Sequence, residues 1–173
     1  MANTRGNTTI YVYSIEESFV FTKPRTSGIS LAHLNIRGIR SSLDEIEILL
    51  GKRILDILTL SDTWLNEGID YEEFTIEGYP LLRRDRGYAN GGGVAAYIKN
   101  VYAFKERPDL QSNDLDVLWF ELNIPKSKAI FIASAYRLPT DETFHNKFET
   151  QLLNTVLQNP QKSALIMYTY ELK

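Results

Sequence analysis

Residues 54–65, ILDILTLSDTWL, constrain the fold more than any other stretch. Ile54, Leu55, Ile57, Leu58 and Leu60 make a nearly unbroken apolar run, interrupted by Asp56 and Thr59. A run this short and this apolar reads as a strand buried on both faces, as in layered α/β sheets. Its character changes at Ser61, Asp62 and Thr63, and Trp64 follows. Small polar groups and a carboxylate at the carboxyl end of a buried strand stand where α/β enzymes place their chemistry. The same residues would also begin a turn or cap a helix, and pattern alone leaves both readings open.

The chain before this run supplies a partner strand. Residues 29–36, ISLAHLNI, set Ile29, Leu31, His33 and Asn35 against Ser30, Ala32, Leu34 and Ile36, the alternation of a strand. Ser42-Leu43-Asp44-Glu45 fits a capping box. Leu43, Ile46, Leu49 and Leu50 give the next helix one apolar face, and Gly51 and Lys52 end it. Strand, helix and strand form a β-α-β unit, whose right-handed crossover sets the two strands parallel. Asn35 and Asp62 then share one rim. Residues 1–28 read as an N-terminal extension or linker, with 8–13 and 18–22 as the arms of a short hairpin.

Downstream, an acidic loop over 67–80 leads to Leu81-Leu82 and Arg83-Arg84-Asp85-Arg86. Gly91-Gly92-Gly93 precede a strand at 94–98 and allow a tight turn or a close backbone approach to a ligand. They are not a P-loop, because no Lys-Ser or Lys-Thr follows at the right spacing. Further strands are expected at 101–104, 116–124 and 129–136, the last two joined by a hairpin turn at 126–128 and therefore antiparallel. Residues 141–158 read as a helix with Phe144, Phe148, Leu152, Val156 and Leu157 as its buried stripe, and 164–167 as another buried strand.

Composition narrows the chemistry. The 173 residues make one ordinary domain, and 43% hydrophobic with 24% charged residues is a soluble globular balance. A net charge of −3 gives no global basic field, though a local basic patch remains compatible with it. With no cysteine there are no disulfides, no thiolate chemistry and no cysteine-based zinc site. The two histidines, His33 and His145, exclude a histidine-rich metal centre. Carboxylate, amide and water ligands remain, and these suit magnesium. No apolar run has the length of a membrane span and no signal-peptide core is present, so the expected compartment is intracellular, the nucleus included.

Six segments then come together: His33-Leu34-Asn35-Ile36-Arg37-Gly38, Ser61-Asp62-Thr63-Trp64-Leu65, Gly78-Tyr79, Arg84-Asp85-Arg86, Gly91-Gly92-Gly93-Val94-Ala95 and Ser134-Ala135-Tyr136-Arg137-Leu138-Pro139. In this order and spacing the chain resembles the endonuclease domain of LINE-type (non-LTR) retrotransposons. That domain belongs to the endonuclease/exonuclease/phosphatase superfamily, with exonuclease III, apurinic endonucleases and DNase I. The resemblance covers residues 29–167 and leaves 168–173 as a non-family tail. It implies a four-layer α/β sandwich of the DNase I-like type, with two mixed sheets face to face and helices outside. It also implies cleavage of a DNA phosphodiester with Mg2+, which activates a water for in-line attack, assisted by a catalytic histidine.

By the same resemblance Asn35 is an active-site asparagine that places metal and phosphate. Asp62 stands where the family has its metal-binding Glu, and Tyr136 is the active-site tyrosine before a proline-containing turn. Read from the residues alone, the alternatives are a turn residue at a strand end for Asn35 and a packed aromatic for Tyr136. Arg37, Arg40, Arg84 and Arg86 are expected on DNA phosphates, or, for Arg84 and Arg86, in surface pairs with Asp85 and nearby acids.

The chain also departs from the family pattern. Asp62 is one methylene shorter than Glu, and a displacement of about 1 Å can cost around a hundredfold in rate. The family strand that ends in Gly-Asp-Phe-Asn is followed here by Tyr168-Thr169-Tyr170-Glu171, with Thr169 at the Asp position and Glu171 at the Asn position. The later Ser-Asp-His segment does not follow, and neither His33 nor His145 fits the catalytic histidine. The expectation is a C-terminally truncated domain with the second sheet largely missing and an apolar face left bare. Such a chain would be catalytically inactive, or would bind DNA without cutting it, and it contains no reverse transcriptase domain.

Overall fold

A computed structural model of the chain describes residues 9–14, 28–87 and 91–168. The second arm of the expected N-terminal hairpin, and Thr169 and Glu171, lie outside the described residues. The first sheet holds β1 (Thr9–Ser14), β2 (Gly28–Asn35), β3 (Ile57–Ser61), β4 (Leu81–Arg84) and β5 (Val94–Ile98), in the order β1-β2-β3-β5-β4. The expected β-α-β unit is present, with α1 (Leu43–Gly51) crossing from β2 to a parallel β3. β1, inside the expected extension, pairs parallel with the outer edge of β2. β3 is buried along its whole length, as its unbroken apolar run requires.

The second sheet holds β6 (Ala103–Glu106), β7 (Asp116–Asn123), β8 (Ile130–Tyr136) and β9 (Ser163–Tyr168), with α2 (Phe144–Gln158) between the last two. β7 and β8 are the expected antiparallel hairpin, turning through Lys126 at φ 62°, and β9 returns parallel to β8. β6 begins two residues later than its expected start, because Val101 lies exposed in the preceding turn.

Four layers result. Between the sheets, Ile29, Leu31, Ile57, Val94, Ala96 and Ile98 pack on Leu118, Phe120, Leu122, Ile130, Ile132 and Met167. The face expected to be bare is therefore covered by the four strands of the second sheet. Outside the first sheet, Ile46 and Leu50 of α1 close over Ala32, Leu58, Leu60 and Tyr97. Outside the second, Phe144 and Phe148 of α2 close over Trp119, Phe131 and Ala133.

Two local expectations fail for geometric reasons. The capping box does not form: a short 3-10 turn, Arg40–Ser42, feeds directly into α1, and no side chain caps it. On α2, Val156 and Leu157 are 41% and 73% exposed, while Thr155 is buried. At 3.6 residues per turn, three turns after position 144 end near position 155, so the stripe passes to Thr155 instead of Val156 or Leu157. Among the described residues no helix is long and apolar enough to cross a membrane.

Candidate active site at the strand ends

β2 and β3 end side by side, with Asn35 opposite Ser61 and Asp62 next in the chain. The two segments stay joined beyond the sheet. Ile36 N–H donates to Ser61 O at 3.1 Å, Gly38 N–H to Asp62 O at 2.8 Å and Ile39 N–H to Thr63 O at 3.0 Å. The rim expected from the crossover is thus a continuous surface. On it, Asn35 Oδ1 is buried and has no hydrogen-bond partner. An unsatisfied buried oxygen costs about 1–3 kcal/mol, so it marks a place that a ligand group would complete.

Asp62 is 7% exposed and sits at φ 59°. Its Oδ1 accepts two hydrogen bonds, from Trp64 Nε1–H at 2.8 Å and from Gly92 N–H at 2.7 Å. No helix follows, so the helix-cap reading of Asp62 and Thr63 falls away. The Asp62 carboxylate instead ties the β3 end to the glycine segment.

That segment explains the triple glycine. Gly91, Gly92 and Gly93 lie at φ 83°, 86° and 82°, a region that side-chain-bearing residues rarely enter. A Cβ on Gly93 would lie 2.7 Å from Thr63 Oγ1, and one on Gly92 would lie 2.5 Å from Arg86 Cδ. The glycines bring their own backbone against the end of β3, an approach within the chain: Thr63 N–H and Trp64 N–H donate to Gly93 O and Gly92 O at 3.3 and 3.0 Å.

The second sheet contributes to the same rim. Asp116, the first residue of β7, is registered opposite Tyr136, the last residue of β8. Asp116 Oδ2 pairs with Arg86 Nε at 3.3 Å and would lie 3.0 Å from a Cβ on Gly92. Burial pushes the Asp116 carboxyl up, and Arg86 and Arg84 pull it back. Asp62 and Asp116 therefore flank Gly92, one from each sheet. Asp116 was not among the sequence candidates; its signal was an acid opening a strand opposite the candidate tyrosine. Tyr136 is half-buried here, so the structure brings Asn35, Asp62 and Tyr136 to one end of the sandwich.

The arginines divide. Arg84 is spent inside the molecule: its guanidinium donates to Val117 O at 3.0 Å, Gln111 Oε1 at 3.0 Å and Ser112 O at 2.6 Å. It braces the two sheets, and burial lowers its pKa. Arg86 is held by Asp116 at the rim. Arg40 pairs with Glu73 at 2.6 Å on the exposed surface. Arg37 is exposed, at φ 45°.

Neither histidine reaches the rim in a catalytic form. His33 is 5% exposed within β2, and desolvation lowers its pKa to about 4. Thr59 Oγ1 donates to Ala32 O, so His33 Nδ1–H donates to Thr59 Oγ1 at 2.8 Å and Nε2 is left buried without a partner. His145 is exposed on α2. Among the described residues, no three His, Cys, Asp or Glu side chains converge as a metal cluster.

No family model matches the chain, and no curated protein matches it. Solved structures do. The endonuclease domain of TRAS1, a telomere-specific non-LTR retrotransposon, superposes with a TM-score of 0.60 at 12% identity, over 79% of this chain and 57% of that one. The Xenopus laevis APE2 catalytic domain gives 0.56 at 18% identity, over 83% and 59%. D. rerio TDP2 complexed with a single-strand DNA product gives 0.53 at 9% identity, over 80% and 58%. The chain thus spans under two thirds of the length of each of these proteins. At such identities the likeness is one of fold, and the fold this chain carries, in part, is a DNase I-like α/β sandwich.

Proposed function

We propose that the chain is a segment of a retrotransposon-type, Mg2+-dependent DNA endonuclease that holds a DNA phosphodiester at the rim but does not hydrolyse it by itself. The observation that carries this reading is the unpartnered Asn35 Oδ1 on the same strand-end rim as the Asp62 carboxylate. The donor set fits magnesium, a hard cation that takes oxygen ligands, one or two of them carboxylates, and keeps several waters. Asp62 would hold it. Trp64 and Gly92 fix that carboxylate through Oδ1, so Oδ2 would be the atom offered to the cation. Asn35 would offer Oδ1 to the cation or its hydration shell. When bound, magnesium would neutralise phosphate charge and lower the pKa of a coordinated water.

The chain's own residues bind and orient. Tyr136 would donate its hydroxyl toward phosphate oxygens. Arg86, Arg40 and Arg37 supply positive charge along the rim, as sequence-independent phosphate contacts. Arg84 acts behind them as a brace. Turnover requires more: His33 is buried and neutral, and His145 lies on the outer helix, so neither is a proton carrier for the leaving group. Groups that act as a unit lose nearly all their effect when members are absent.

The reading is tested on supercoiled plasmid with Mg2+ and with chelator. The expected result is salt-sensitive binding, with log affinity falling linearly against log salt, and no nicking above the chelator control. Mg2+-dependent nicking that disappears in Asp62→Ala would show that the chain completes the reaction. Binding unaffected by salt would remove the phosphate contacts from the reading.

A further inference from the structure

Trp64 is exposed the wrong way round for a surface tryptophan. A surface tryptophan normally packs its ring and wets its polar tip. Here the side chain is 55% exposed, while its indole N–H is turned inward onto Asp62 Oδ1 at 2.8 Å. What meets solvent is the apolar ring. The backbone is strained to present it, since Asp62 and Trp64 both lie at φ 59°. Gly38, at φ 110°, supports the ring from behind: a Cβ there would lie 3.2 Å from Trp64 Cε3 and 3.5 Å from Cδ2. Trp64 N–H is fixed to Gly92 O. Beside the ring lies a groove of about 440 Å³, bordered by Gly38, Ile39, Arg40 and Ser41.

From this geometry we infer that Trp64 is a stacking plate for an unpaired nucleobase next to the phosphodiester held at the rim. The inference rests on the DNA reading above. A rigid aromatic face accepts any base, because every base has a π-face. A duplex base has both faces covered by its neighbours, so the ligand is a base released from the stack. Arg40, 66% exposed along its side chain, stands beside the groove where the phosphate attached to that base would run. Its pairing with Glu73 is a surface one that a phosphate can displace. The hydrogen bond to Asp62 places the plate relative to the candidate cation ligand.

The test uses three labelled strands at low salt: a deoxythymidine decamer, an abasic sugar-phosphate decamer and a fully paired duplex. Anisotropy reads affinity and tryptophan emission reads contact. The chain's other tryptophan, Trp119, is fully buried and bonded to Gln151, so a change on binding reports Trp64. The decamer of thymidine should quench emission. Trp64→Ala should weaken its binding about 5- to 150-fold and leave the abasic strand unchanged. Trp64→Phe, which keeps a ring and loses the N–H, should stay within about threefold of the wild type. Trp119 emission verifies that each variant is folded. Equal binding of the decamer by wild type and Trp64→Ala overturns the stacking role while the DNA reading stands. Equal losses in Trp64→Phe and Trp64→Ala also overturn it, and assign Trp64 to holding Asp62. No binding of any strand by folded protein overturns both readings.

Discussion

Asp56 precedes β3 and Asp62 follows it, and both side chains are buried, at 5% and 7% exposure. Their partners differ in kind. Asp56 Oδ2 accepts Ser30 N–H at 2.9 Å, and Oδ1 faces Lys99 Nζ at 3.4 Å, while the same Nζ donates to Arg53 O. Its charge is matched by a cation and its backbone is unstrained. Asp62 is held by an indole and an amide, with a left-handed backbone, on the rim that also carries the unsatisfied Asn35 oxygen. A buried carboxylate with its own counter-ion joins elements. One held by dipoles alone, in strained backbone, keeps electrostatic capacity for a ligand.

The sharpest way to separate the two ends begins between them, at His33. Its pKa is about 4 in the fold and about 6.5 when unfolded. The folded state thus favours the neutral ring. That contribution is fully present above pH 6.5 and is lost as pH falls through the window toward 4. It is worth about 3 kcal/mol in all. Urea unfolding at pH 7 and pH 4.5 should give a pH-dependent loss that shrinks in His33→Gln. An unchanged loss in the variant would move the titration elsewhere.

Asp56→Ala comes next. It leaves Lys99 and Ser30 N–H without their buried acceptor, at a cost of about 2–3 kcal/mol. DNA binding by the folded fraction should not change; a loss of binding would break the division between a structural and a functional end. Gly93→Ala should cost about 2 kcal/mol, since its Cβ would meet Thr63 Oγ1 at 2.7 Å in left-handed backbone. Chemical denaturation measures it, and a neutral result would mean that the loop relaxes freely.

Asp62→Asn has the smallest effect on stability, under about 1 kcal/mol, because its amide oxygen still accepts from Trp64 and Gly92. It should nonetheless abolish the Mg2+-dependent rise in Tm of the wild type, which at ten times Kd corresponds to about 1.4 kcal/mol. A rise that survives in Asp62→Asn would take Asp62 out of cation binding.

Much of this was legible beforehand. The apolar run ending at Ser61 and the alternation ending at Asn35 were enough to place two parallel strand ends on one rim, because burial and crossover handedness are local rules. The glycine triplet was legible as a turn or a ligand approach, and only the tertiary structure shows it lying against Thr63 Oγ1 at the end of β3. Arg84 was read as a phosphate contact or a surface pair because nothing local shows that Val117, Ser112 and Gln111, all more than 25 residues away, converge on it. Asp116 and Trp64 went unassigned for the same reason: their meaning lies in Arg86, Gly92 and Asp62, which a linear reading does not bring beside them.

By itself, then, the sequence determined a layered α/β class, the β2-α1-β3 crossover, the shared rim of Asn35 and Asp62, and the lack of cysteine and histidine-cluster chemistry, while the two-sheet sandwich came only with the family resemblance. Those follow from periodicity, chirality and composition, which act over a few residues at a time. The tertiary structure alone decided that the second sheet covers the first, that Arg84 is a brace, that His33 is buried and neutral, and that Trp64 presents its ring with its N–H turned inward. Each of these depends on which groups meet across the sandwich, and burial and hydrogen bonding between distant segments are set only when the layers close.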